Sequence, residues 1–255
     1  MKQSGVRNNN LVRLIFLSAI VLHIQPANAW QEGTNMKDEF FSAITQGNTA
    51  KVKELLKADA TLAQAKDQNG LSAILKAVYY RKKEVVAVLL ETGIELNIFE
   101  AAATGQTERV RTLLKDNATI ANTFSPDGFM PLGLAVFFGH RQVVELLLAA
   151  GAEVNLPSRE AMKVTPLQSA AAAREVDIAR LLIEHGANVN VKQAEAGFTP
   201  LHEAAANGDL DFAALLVNNG ADINAKTSDG KTPLGFAEER NQKEMADFLR
   251  KHGGK

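Results

Sequence analysis

The sequence predicts an all-α fold built as a solenoid of repeated helical hairpins. Two spacings and one local pattern carry that prediction. Pro131, Pro166, Pro200 and Pro233 stand 35, 34 and 33 residues apart, and Gly151, Gly186, Gly220 and Gly253 keep the same step. Between these marks the chain reads as helix, turn, helix and loop, a unit too small to bury a core alone but able to do so in a stack.

Residues 198–224 show the unit most fully. Thr199-Pro200 is a side-chain cap followed by a proline in the first helical turn, where its missing N–H costs nothing. Leu201, Ala204 and Ala205 form a short apolar face that stops at Asn207-Gly208. A second helix carries Phe212, Leu215 and Leu216 at helical spacing and ends at Gly220. Aligning the residue that closes each first helix gives Gly47, Arg81, Gly105, Gly139, Arg174, Gly208 and Asn241, with steps of 34, 24, 34, 35, 34 and 33. Seven units follow, at about 36–65, 66–96, 97–123, 124–156, 157–190, 191–224 and 225–255. The first and last, with polar outer faces, read as caps.

The step of 24 leaves Gly93-Ile94-Glu95-Leu96-Asn97 running straight into the next helix. A tight connection without a projecting β-turn finger is expected there, with a shallow trough over the shortened unit. Residues 41–97 also match residues 99–155 at a constant offset of 58, down to Ala60-Thr61 and Ala118-Thr119, as a duplicated two-unit block would.

Thr199-Pro200-Leu201-His202 and Gly220-Ala221-Asp222-Ile223-Asn224 closely resemble the ankyrin repeat. Thr165-Pro166-Leu167, Gly186-Ala187-Asn188-Val189-Asn190 and Thr232-Pro233-Leu234 resemble it too. The resemblance covers about residues 36–255. It implies a binding scaffold short of any chemistry of its own, whose partner meets the fingers and the two residues before each closing position. It also makes His202 a structural residue that hydrogen-bonds within and between turns. The implied contact residues are Tyr79, Tyr80, Phe137, Phe138, Asn207 and Arg240 on the first-helix face. At the finger tips they are Phe124, Asp127, Arg159, Lys163, Lys192, Lys226 and Asp229. One ring of each aromatic pair is expected to pack on the next unit and the other to remain for a partner.

The N-terminus departs from this pattern. Lys2, Arg7 and Arg13 precede an apolar run from Leu14 to Ile24, and Ala27-Asn28-Ala29 offers a small-x-small cleavage site. Residues 1–29 therefore read as a secretory signal peptide and 30–35 as a short linker. The apolar run is too short to span a bilayer, so no membrane insertion is expected after cleavage. Removing residues 1–29 takes three basic residues and no acid, moving the formal net charge from −1 to −4. With no strongly basic stretch in the remainder, a nucleic-acid partner is not expected. The chain has no cysteine, which excludes disulfides, thiolate metal sites, a cysteine nucleophile and a cysteine-linked lipid anchor.

Catalytic motifs fail on inspection. His202-Glu203 begins an H-E-x-x-H pattern, but Ala206 stands where the second histidine is required. Gly230-Lys231-Thr232 resembles the tail of a phosphate loop, but Ala225 replaces its first glycine. No enzyme, cofactor or metal is expected. The reading is a monomeric, non-enzymatic protein-binding module in the periplasm, or secreted. A neutralising partner of an exported enzyme or toxin, or an effector acting in a host cell, are the alternatives.

Overall fold

Local residues set each hairpin. Proline occupies the first turn of the helices Pro131–Phe137, Pro166–Ala173, Pro200–Asn207 and Pro233–Glu239, where its fixed φ suits the helix. The first helix of every hairpin is closed by a residue in the left-handed region. Four are glycines, with φ of 75° at Gly47, 71° at Gly105, 76° at Gly139 and 64° at Gly208. Three are not: Arg81 at 55°, Arg174 at 64° and Asn241 at 55°.

A computed structural model of the chain describes residues 35–255. The expected signal peptide, 1–29, and linker residues 30–34 lie outside the described residues. The described chain is α-helical, with an isolated antiparallel bridge between Lys66 and Ser72 in place of any strand. The packing forms two compact units.

The N-terminal unit, residues 35–153 with 158–160, holds four hairpins. Their helices are α1 (Met36–Gln46) and α2 (Thr49–Ala58), α3 (Ala73–Tyr79) and α4 (Lys83–Glu91), α5 (Ile98–Thr104) and α6 (Thr107–Asp116), and α7 (Pro131–Phe137) and α8 (Arg141–Ala149). The C-terminal unit, residues 154–157 and 161–255, holds three. These are α9 (Pro166–Ala173) and α10 (Val176–Glu184), α11 (Pro200–Asn207) and α12 (Leu210–Asn218), and α13 (Pro233–Glu239) and α14 (Lys243–Lys251).

Within each unit, first helices pack on first helices and second on second, burying leucine, valine and phenylalanine between small alanines. Two repeated devices fix the register. In one, the residue opening a second helix covers the closing glycine of the hairpin before it. His140 Nε2 donates to Ala103 O at 3.0 Å, and a Cβ added at Gly105 would meet the His140 ring at 2.6 Å. Lys82 covers Gly47 and Gln242 covers Gly208 in the same way. At Arg174, which has a side chain, the cover becomes an ion pair to Asp209 at 3.1 Å.

The second device is an asparagine staple. Asn190 Nδ2 donates to Gly220 O at 2.9 Å while its Oδ1 accepts from Asp222 N at 2.7 Å. Asn122 joins Gly151 and Glu153 in this manner, Asn155 joins Gly186 and Asn188, and Asn224 joins Gly253 and Lys255.

The shortened third hairpin has no finger. Residues 92–97 alone connect α4 to α5, and α5 starts on a capping box between Asn97 and Glu100. The 58-residue offset has a structural counterpart in two short 3-10 turns, Ala60–Gln64 and Ala118–Asn122. Asp59 caps one through Thr61 N and Oγ1, and Asn117 caps the other through Thr119 N and Oγ1.

Candidate functional site

The surface to be judged is the finger row and first-helix face of each unit. In the N-terminal unit the aromatic pairs divide. Tyr79 and Phe137 are buried, 3% and 4% exposed, while Tyr80 and Phe138 are half-buried. Tyr79 and Phe137 are thereby withdrawn from the docking surface that the sequence suggested.

Tyr79, in the second hairpin, reaches past the small Ala103 of the third to the fourth. Its ring stacks on Phe138 at 6.1 Å and 15°, and its hydroxyl donates to Asp127 Oδ2 at 2.6 Å. Burial and the adjacent Asp127 carboxylate hold the Tyr79 phenol well above its usual pKa.

Asp127 serves as a brace. Besides Tyr79 it accepts Ser125 Oγ at 2.5 Å, and Ser125 closes the finger through Phe129 N and O. Asp229 has the same task on Thr227 Oγ1, which bonds Lys231 N, and that hydroxyl holds the Asp229 carboxyl below its ordinary range. Both aspartates are turn-locking residues as well as tip residues.

Phe124 and Arg159 are brought together. The Arg159 guanidinium lies over the Phe124 ring at 3.9 Å, and Arg159 N donates to Gly128 O at 2.8 Å. Adjacent fingers of the C-terminal unit join likewise, Ser228 N to Ala196 O at 3.0 Å. Lys163, Lys192 and Lys226 stand exposed, and Lys163 has a left-handed φ of 50°.

In the C-terminal unit His202 has the structural place that the repeat resemblance implied, and sequence reasoning missed its neighbour Glu203. His202 is fully buried; its Nδ1 accepts from Thr199 N at 3.1 Å and Nε2 donates to Lys231 O at 3.2 Å. Burial lowers its pKa, as it does that of His140. Phe198, Phe236 and His202 pack as an aromatic triad with centroid separations of 5.0 to 5.7 Å. Next to His202, Glu203 is 5% exposed, and Oε1 accepts Asn207 Nδ2 at 2.9 Å. Burial raises its carboxyl to about 7, against smaller lowering effects of Asn207 and of Arg240, the residue that caps α13. Of the two residues named from their place before the closing residue, Asn207 bonds this buried acid and Arg240 acts on it through charge. The register gave no signal for it: the position holding Glu203 carries Ser42, Lys76, Glu100, Leu134, Ser169 and Phe236 in the other hairpins.

Among the described residues no group of three His, Asp or Glu side chains could hold a metal ion, and no helix is long and apolar enough to cross a membrane. Fold and surface together define a helical repeat scaffold with braced fingers. A family profile described as ankyrin repeats in three copies matches residues 156–227 and 192–255, and one described as ankyrin repeats in many copies matches 98–148. The chain belongs to the ankyrin repeat family. It is similar to an ankyrin repeat domain-containing protein of Stachybotrys chartarum, 31% identical over 160 residues, covering 61% of this chain and 8% of the relative. A match to the human oxysterol-binding protein-related protein 1 is 43% identical over 76 residues, 26% of this chain and 8% of that protein. A probable E3 ubiquitin-protein ligase of Oryza sativa subsp. japonica is 27% identical over 198 residues, 63% of this chain and 40% of the ligase. The chain therefore spans well under two thirds of each of these relatives.

Proposed function

We propose that this chain is an exported, non-enzymatic ankyrin module that holds a protein partner on its fingers and first-helix face, in the periplasm or outside the cell. Ankyrin repeats are protein-interaction modules, which supports the first half of this reading. The apolar run and small-x-small site before Trp30 support the second.

The observation that carries the binding reading is preorganisation. Phe138 is held half-exposed by its stack on Tyr79, and Arg159 is held flat on Phe124 by ring contact and a backbone hydrogen bond. Side chains ordered before contact lose little entropy on binding, and aromatic and arginine anchors supply most of the affinity of many interfaces. The test is affinity capture of the tagged chain from an extract of the exported fraction, alongside the Tyr80→Ala/Phe138→Ala variant. One stoichiometric partner, lost from the folded variant, is expected. A partner captured equally by both would remove these rings from the interface.

A further inference from the structure

The joint between two fingers of the N-terminal unit carries a guanidinium that the joint does not need. Arg159 N donates to Gly128 O at 2.8 Å, and Gly128, at a φ of 88°, lies so close that an added Cβ would meet Glu160 N at 2.8 Å. The same joint recurs in the C-terminal unit. There Ser228 N donates to Ala196 O at 3.0 Å, and a Cβ added at Gly197 would meet Ser228 N at 3.1 Å. A serine suffices in that place because the bond is made by the backbone. Holding the fingers together therefore accounts for neither the Arg159 side chain nor the Phe124 ring beside it.

That side chain is positioned and yet uncommitted. Arg159 is exposed, and its guanidinium carbon stands 3.9 Å from the centroid of the half-buried Phe124 ring. Contact with a ring restrains a guanidinium without using its N–H groups. Among the described residues, none of those groups has a hydrogen-bond or ion-pair partner. The acids nearest in the two fingers are engaged elsewhere. Asp127 accepts the Tyr79 and Ser125 hydroxyls, and Glu160 Oε1 accepts Ser158 Oγ at 2.8 Å. Residues 123–129 and 158–160 hold no second basic side chain.

We propose that Arg159, seated on Phe124, receives the carboxylate of an aspartate or glutamate of the bound protein. The proposal rests on the protein-binding reading above and names the chemistry of one contact. Two guanidinium N–H groups match the two oxygens of a carboxylate, and a cation restrained before contact loses little entropy on making that pair. The ring shields one side of the pair from water, which strengthens it once the partner covers the other. One cation in fingers that also hold Asp127 and Glu160 suits a singly charged group. The second charge of a phosphate would face those two acids with no second cation to balance it.

The test uses the full chain with a blocked triglutamate peptide as probe, and blocked triglutamine and inorganic phosphate at the same ionic strength. Nitrogen-15 NMR of the Arg159 Nε–H reports the contact. Triglutamate is expected to shift this resonance and triglutamine to leave it unmoved. Arg159→Gln, and Arg159→Lys, which keeps the charge and loses the fork, should each bind triglutamate about threefold more weakly, with spectra otherwise unchanged. Phe124→Leu, which keeps apolar bulk without a ring, should weaken it by about twofold. An Arg159 resonance unmoved by triglutamate, or equal triglutamate affinity in Arg159→Gln, overturns the proposal, as does phosphate that binds as tightly as triglutamate. For a captured protein partner, Arg159→Gln should cost about tenfold in affinity. A partner held equally by both proteins overturns the proposal and leaves the protein-binding reading intact, whereas capture of no partner by either overturns both.

Discussion

Replacing Glu203 by Gln should make the protein more stable above neutrality and leave it nearly unchanged in mild acid. The carboxyl is buried and titrates at about 7 in the folded chain, against an ordinary value of 4.5. A shift of that size corresponds to about 3 kcal/mol at pH 8, using about 1.4 kcal/mol per unit. The sign follows from proton uptake. Between pH 4.5 and 7 the folded state binds the Glu203 proton more tightly than the unfolded state, so stability falls as pH rises through this window. Glutamine cannot ionise and keeps an acceptor for Asn207 Nδ2, so the variant should lack this slope. His140 and His202 act oppositely: burial lowers both, and their contribution is lost as pH falls below about 6.5. The difference between the two proteins cancels the histidines. Urea denaturation monitored by circular dichroism from pH 4.5 to 8.5 gives that difference directly. A variant no more stable than wild type at pH 8 would refute the account of Glu203 as a buried, uncompensated acid.

Three further outcomes follow from the register devices and the bridging tyrosine. Gly105→Ala should cost more than Gly186→Ala in thermal melts: both carry a left-handed φ, at about 1–2 kcal/mol, but only at Gly105 does the new Cβ strike the His140 ring. Equal losses would show that His140 moves aside freely. Asn190→Ala removes both the bond to Gly220 O and that from Asp222 N, for about 1–2 kcal/mol in all; hydrogen exchange of the Asp222 amide should accelerate, and an unchanged rate would rule the staple out. Tyr79→Phe keeps the stack on Phe138 and deletes the bond to Asp127, with an expected loss of about 1–2 kcal/mol in chemical denaturation. No loss would mean that the reach across the third hairpin rests on ring packing alone.

Much of the hairpin geometry is readable because its causes are local. The residue closing each first helix is readable even where it is Arg81, Arg174 or Asn241, since the 33–35 residue step marks the place when glycine is missing. The short connection at residues 92–97 is likewise readable, because the count of residues leaves no room for a finger. The candidate surface was less legible. Tyr79 and Tyr80 are adjacent and chemically alike, and only packing against Phe138 and Asp127 of the fourth hairpin tells the buried one from the other. Glu203 was read with His202 as an incomplete metal motif, and its register place, which holds Ser42, Lys76, Glu100 and Ser169 in other hairpins, did not mark it as buried.

The sequence by itself determined the repeat, its period and its truncated member, since proline, glycine and threonine act on the backbone within a turn of where they stand. Tertiary structure decided which aromatic rings remain on the surface, that Tyr79 reaches Phe138 and Asp127 of the fourth hairpin, and that Asp127 braces both Tyr79 and Ser125. It also decided that Glu203 is an acid near neutrality. Those properties depend on solvent exclusion and on neighbours from other hairpins, and residue order within one hairpin carries neither.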